Sequence, residues 1–328
     1  MSRTPTGSYA GSWALIVAVA TACLLACYGL GFRFGGLAVP GVAVLLLAAG
    51  SIVGRSTGRP RLYAGASAFL LMTLFTILGV VLSYALAARG GMVWDGALAR
   101  IDRQLGFDWP AVFDAADNAP ASVWIGGVAY HSLPLQMIVC IVALSGTGRV
   151  KPLETAVAAA IMSGFATILI SGLTPAMGNV FDPAGYRLLW PSVAWMERDM
   201  IAGLRDGSLR TLDLTHLWGI VTFPSYHAAL PIILAWAQRD VPWLRVIAPI
   251  WAGLTILATP LFGGHYGVDV LAGIALAPAA LAMASSGIWQ HLATLCAQAY
   301  AARQRTARPI SAFSDRGLPV SGTIDVLD

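Results

Sequence analysis

Residues 243–289 read WLRVIAPIWAGLTILATPLFGGHYGVDVLAGIALAPAALAMASSGIW, two apolar runs at 243–262 and 265–289 hinged on Gly263-Gly264-His265-Tyr266-Gly267. Each run is long enough for a helix to cross the roughly 30 Å of hydrocarbon in a bilayer. Comparable runs occur at about 12–31, 36–54, 62–88, 122–145, 153–173 and 221–238, which makes about eight spans. The composition agrees: 57% of residues are hydrophobic, 11% are charged and the mean hydropathy is +0.72. These values exclude a soluble globular protein and predict an all-α, polytopic membrane helical bundle. The first run is too long for a signal-peptide core and lacks a clear cleavage site, so it is read as a retained helix.

Lysine and arginine resist translocation and set orientation. Of the 20 basic residues, twelve fall in one set of alternating loops and the termini: Arg3, Arg55, Arg59, Arg61, Arg149, Lys151, Arg239, Arg245, Arg303, Arg305, Arg308 and Arg316. The other eight occupy longer, Asp-rich segments. Both termini are therefore expected in the cytoplasm of a multi-pass protein of the bacterial inner or plasma membrane. The net charge of +4 suits contact with anionic membrane lipids and gives no sign of nucleic-acid binding. Cys23, Cys27 and Cys140 lie inside spans and offer no disulfide framework.

One membrane domain over 1–301 is expected, with accessory spans at 12–88, a core at 122–289 and a flexible cytoplasmic tail at 302–328. Two extracytoplasmic segments exceed simple connectors. The first, about 90–121, places Leu98, Ile101 and Leu105 at helical spacing, as in an amphipathic helix lying on a membrane surface. The second, about 174–220, carries Arg187, Arg198, Arg205 and Arg210, which are candidates for holding a phosphate.

Chemistry concentrates in two short motifs. Two of the five histidines lie in Phe223-Pro224-Ser225-Tyr226-His227 and in His265-Tyr266-Gly267-Val268-Asp269. Ionisable groups beside apolar spans are costly and usually face a cavity. His265 and Asp269, four residues apart, share a helix face, so the carboxylate can hold one ring nitrogen and present the other as a nucleophile. Pro224 and Ser225 read as a helix start, with Ser225 as cap, and the helix dipole favours an anion there. His227 in the first turn is the expected general acid. Tyr130 and His131 in the fourth span can face the same cavity. The orientation reading puts both motifs on the extracytoplasmic face.

Pro224-Ser225-x-His227 followed about 38 residues later by His265-x-x-x-Asp269, with Gly273 beyond, resembles the type-2 phosphatidic acid phosphatase superfamily. The stretch from Gly219 to Gly273 resembles its inositol phosphorylceramide synthase-like branch. Weaker likeness covers Leu105-Gly106-Phe107-Asp108-Trp109 and Tyr130-His131-Ser132. The resemblance implies lipid phosphate chemistry with a nucleophile at His265, an orienting acid at Asp269 and a proton donor at His227. Substrate contacts are then expected at Ser225, Tyr226, Tyr130, His131 and the four arginines. Ala258 and Thr259 stand where Ser-Arg precedes the nucleophile in the phosphatases, the upstream Lys and Arg-Pro have no match, and Tyr226 replaces a glycine.

The expected partner is a lipid phosphate substrate, with water or an alcohol headgroup as acceptor; no cofactor or metal is required. Two other readings stay open. Two histidines and a carboxylate can form a metal-binding facial triad, and intramembrane histidines can relay protons in a non-catalytic transporter. Transporters often carry matched internal repeats, and no such pairing stands out in this sequence. The sequence leaves the oligomeric state unread.

Overall fold

The apolar runs become helices wherever proline and glycine permit. The computed structural model describes residues 9–298 apart from 217, 288, 290, 292–293 and 296–297. The tail at 302–328, expected to be flexible, lies outside the described residues. Helices α1 (Ala10–Leu30), α2 (Ala38–Ser56) and α3 (Pro60–Ala87) come first, followed by the short α4 (Asp95–Gln104) and α5 (Trp109–Asp117). Next are α6 (Pro120–His131), α7 (Leu133–Gly146), α8 (Val150–Leu173) and α9 (Val193–Asp206). The chain then forms α10 (Tyr226–Ala237), α11 (Leu244–Gly263) and α12 (Gly267–Ser285).

Among the described residues six helices, α1, α2, α3, α8, α11 and α12, are long and apolar enough to cross a membrane. The expected fourth span is a broken one: α6 and α7 meet at 54°. Backbone freed at such a break must find partners inside the protein. Here the Ala129 carbonyl accepts from Thr255 Oγ1 at 3.1 Å and from Gln136 Nε2 at 3.3 Å, while Trp251 Nε1 donates to Ser132 Oγ at 2.8 Å. The expected span at 221–238 is helical only over the 12 residues of α10. Its lead-in bends at Phe223 and Pro224 and is not helical, since proline disfavours helix in the residue before it.

The core forms where α3, α7, α8, α10 and α12 meet. Helices α1 and α2 lean on α3 from outside, and Leu45 and Leu46 of α2 are 70% and 68% exposed. An apolar surface of this kind is what a helix presents to lipid. Cys23, Cys27 and Cys140 are buried and unbridged. At one end of the bundle, β1 (Arg33–Gly35) pairs in parallel with β2 (Thr211–Asp213), tying the α1–α2 connection to the long segment before α10.

Helices α10 and α12 touch through Gly273, where an added Cβ would collide with the Ser225 carbonyl oxygen. Backbone cannot retreat as a side-chain tip can. Gly273→Ala is expected to destabilise the bundle by about 1–3 kcal/mol, read as a lower thermal midpoint in detergent; an unchanged midpoint would refute this packing.

Candidate active site

Three aspartates between α3 and α6 build the scaffold. Helix α4 is amphipathic as expected, but its orientation differs from a helix lying on lipid. Leu98 is buried against Ala176 and Tyr266, whereas Ile101 and Leu105 are exposed. Asp95 and Asp102, seven residues apart on the Leu98 side, point into the protein, because carboxylates there meet backbone N–H groups that have no other partner. Asp102, fully buried, accepts from Gly267 N at 2.7 Å, Val268 N at 2.8 Å and Trp109 Nε1 at 2.7 Å. It thereby caps α12. Asp95 accepts from Met177 N at 3.1 Å, Gly178 N at 2.9 Å and the Tyr266 hydroxyl at 3.1 Å.

Asp117 accepts from the backbone N–H groups of Arg187, Leu188 and Leu189. These bonds, that from Arg187 first, hold its carboxyl below the usual carboxylate range. The weakly family-like Leu105–Trp109 stretch gains a local meaning here. Asp108 caps α5, Phe107 stacks on Trp109 and packs on Gly267, and Trp109 reaches Asp102.

On this scaffold the two motifs meet. The Ser225 N–H donates to the Asp269 carbonyl at 2.9 Å. His265 Nδ1 lies 2.9 Å from the Thr222 carbonyl and 3.4 Å from Asp269 Oδ2. A carbonyl can only accept, so Nδ1 carries the proton and Nε2 is left with its lone pair. Asp269 was expected to hold the ring; Thr222 is the closer partner. Asp269 Oδ2 also accepts from Tyr266 N at 2.9 Å, closing a capping box at the start of α12. His227 opens α10 and stacks on the Tyr130 ring, with centroids 4.5 Å apart, and its ring centre is 6.4 Å from that of His265.

Both histidines line a cavity of ≈ 40 Å³ together with Tyr130, Thr222, Gly263, Gly264 and Glu197. That is room for roughly three water-sized groups. Gly263 keeps the approach open, since a Cβ there would lie 2.8 Å from His265 Cδ2 and 2.9 Å from the Tyr130 hydroxyl.

Several expected contacts lie elsewhere. Tyr226 turns into the core, where its hydroxyl donates to the Ala160 carbonyl at 3.1 Å and its ring meets Phe75. Ser225 occupies the cap position of α10 without making the cap bond, and its Oγ is buried and unpartnered. His131 ends α6 exposed at the break and does not line the cavity. None of the four arginines lines it either. Arg187 is exposed; Arg198 lies 3.7 Å from the Trp195 ring centre and pairs with Asp199. Arg205 donates to the Gly91 carbonyl, and Arg210 to those of Leu204 and Leu209. The guanidinium groups of Arg198, Arg205 and Arg210 meet acceptors or an aromatic face away from the histidines.

A family model described as the PAP2 superfamily matches residues 96–283. The chain belongs to the PAP2 superfamily. The match runs from α4 to α12 and contains every site residue above except Asp95. Neither a curated protein nor a solved structure matches the chain. PAP2 membership, together with the membrane-length helices, makes this an integral membrane protein with a phosphatase-type function on lipid phosphates in general.

Glu197, Thr222, Asp95 and Asp102 belong to this PAP2 site without having been expected there. Ala194, Glu197, Ile201 and Leu204 recur at helical spacing, and all four are buried on one face of α9. That periodicity was the available signal for Glu197. Burial pushes its carboxyl up to about 8.

Asp102→Ala leaves the Gly267 and Val268 N–H groups of α12 and one indole N–H without an acceptor. Destabilisation of about 3 kcal/mol or more and loss of turnover are expected, checked by thermal unfolding and a lipid phosphate assay on the same preparation. Retention of both would remove Asp102 from the scaffold.

Proposed function

We propose that the protein is a membrane lipid phosphatase or phosphotransferase acting through a phosphohistidine at His265, with its site on the extracytoplasmic face. The observation that carries this reading is the fixed tautomer of His265, whose Nε2 lone pair is available in a cavity shared with His227. Nε2 attacks the phosphorus of a lipid phosphate ester. The N–P bond forms as the P–O bond to the leaving group breaks, and His227 gives that oxygen its proton. Water or an alcohol headgroup then attacks phosphorus while passing its proton to His227. The N–P bond breaks and both histidines return to their starting states.

Asp269 stabilises the positive charge that develops on His265 during attack, through the 3.4 Å approach to Nδ1. The Thr222 carbonyl holds the ring in place. Tyr130 fixes His227 by stacking. The start of α10 contributes its dipole to the incoming anion.

An acceptor alcohol in place of water would make the reaction resemble that of inositol phosphorylceramide synthases. The cavity residues favour this alternative to the extent that they lack the arginine expected ahead of the nucleophile in the phosphatases: Thr259 is there instead, its hydroxyl donating to the Thr255 carbonyl at 2.8 Å.

Incubation of purified protein with a lipid bearing ³²P in its phosphate is expected to leave acid-labile, base-stable label on the protein. The label should vanish in His265→Ala, and in His227→Ala turnover should fall by a factor on the order of 100 to 10,000. Undiminished lipid turnover in His265→Ala would overturn the assignment. Turnover is also expected to survive exhaustive chelation, whereas a metal-dependent reaction would stop.

A further inference from the structure

A phosphoryl group entering the cavity of His227 and His265 brings negative charge and oxygens that require donors. Among its described lining residues there is no lysine or arginine. Ala258, one residue before Thr259, is buried in an apolar cluster with Phe113, Val123, Tyr130 and Phe262. Of the four arginines of the long connection, Arg198, Arg205 and Arg210 are engaged elsewhere and Arg187 is exposed outside the cavity lining. The ionisable group that reaches the cavity from α9 is Glu197, which is only 6% exposed and whose Oε1 is buried with no hydrogen-bond partner.

A buried polar atom without a partner, on a residue that lines the compartment where substrate must sit, is a group available to that substrate. An ionised carboxylate there would lack any compensating cation, and such burial is costly. The neutral acid has an O–H to give.

We propose that Glu197 is a substrate-binding residue that, as the neutral acid, donates its carboxyl hydrogen to a non-bridging oxygen of the phosphoryl group at His265. This rests on the phosphohistidine reading above. Glu197 takes the place of a guanidinium as donor, without its positive charge. A site so equipped offers substrate charge no fixed cation, and it suits a singly charged phosphodiester better than a doubly charged phosphomonoester.

The carboxyl is the donor below about pH 8 and becomes a repelling anion above it. The titratable groups facing it are His227 of α10, His265 before α12 with Asp269 behind it, Tyr130 of α6 and Tyr84 of α3. On α9 itself, Arg198 and Asp199 pair at the surface and Arg205 is bonded to Gly91. None of these compensates for ionised Glu197.

The test uses the full-length protein in detergent, with dihexanoyl phosphatidylinositol as diester probe and dihexanoyl phosphatidic acid as monoester probe, from pH 6 to 9.5. Wild type, E197Q, E197A and H265A are compared. Wild type should turn over the diester at least tenfold faster than the monoester. E197Q, which keeps a donor and cannot ionise, should lose three- to tenfold at pH 7. Above pH 8 its logarithmic rate should fall less steeply than that of wild type by one unit per pH unit. E197A should lose at least thirtyfold, mainly as a raised KM.

An unchanged alkaline slope in E197Q, or full activity in E197A, overturns the role of Glu197 while an inactive H265A leaves the phosphohistidine standing. A faster reaction with the monoester overturns the substrate class. Full activity in H265A overturns the underlying reading and this proposal with it.

Discussion

One carboxylate decides where the chemistry can stand. Asp102 takes the first two N–H groups of α12 and the Trp109 indole at once, so the helix that carries Asp269 begins at a point dictated by α4. Helix starts leave donors unpaired, and near a membrane those donors have few aqueous partners. Supplying them from a separate helix couples the position of α12 to that of α4. The Ser225 N–H bond to Asp269 extends the constraint to α10. Both histidines therefore sit in one rigid unit, and the distance between them is a property of the backbone.

The membrane bundle was legible because hydropathy is a sum over many residues, and no single misreading disturbs it. The histidine motifs were legible for the opposite reason: polar groups are rare beside apolar spans, so each one needs an explanation. The break after His131 was invisible to a hydropathy sum, since both halves are apolar and the bend is set by Ser132, Gln136 and Thr255 side chains.

The aspartates escaped notice for a related reason. Asp95, Asp102 and Asp117 stand in a segment rich in charge, where an acidic residue attracts no attention, and their partners are backbone N–H groups that leave no mark in sequence. The arginines misled in the other direction. Abundant cation in a long connection suggests phosphate, yet nearby carbonyl groups and an aromatic ring engage Arg198, Arg205 and Arg210. Glu197 shows how period can outrank composition: among Met196, Arg198 and Asp199 it looks like surface, but its spacing from Ala194 and Ile201 puts it inside.

The broken span gives the architecture a division of labour. A straight helix from 120 to 146 would run its whole length along the bundle and offer the site only an edge. With a 54° bend, α6 and α7 run in different directions, and α6 lays Tyr130 flat against His227. Ser132 Oγ and the Ala129 carbonyl at the elbow accept hydrogen bonds from α11. Half of one membrane crossing has in effect been converted into a wall of the reaction chamber, and the same bonds fix the angle of that wall.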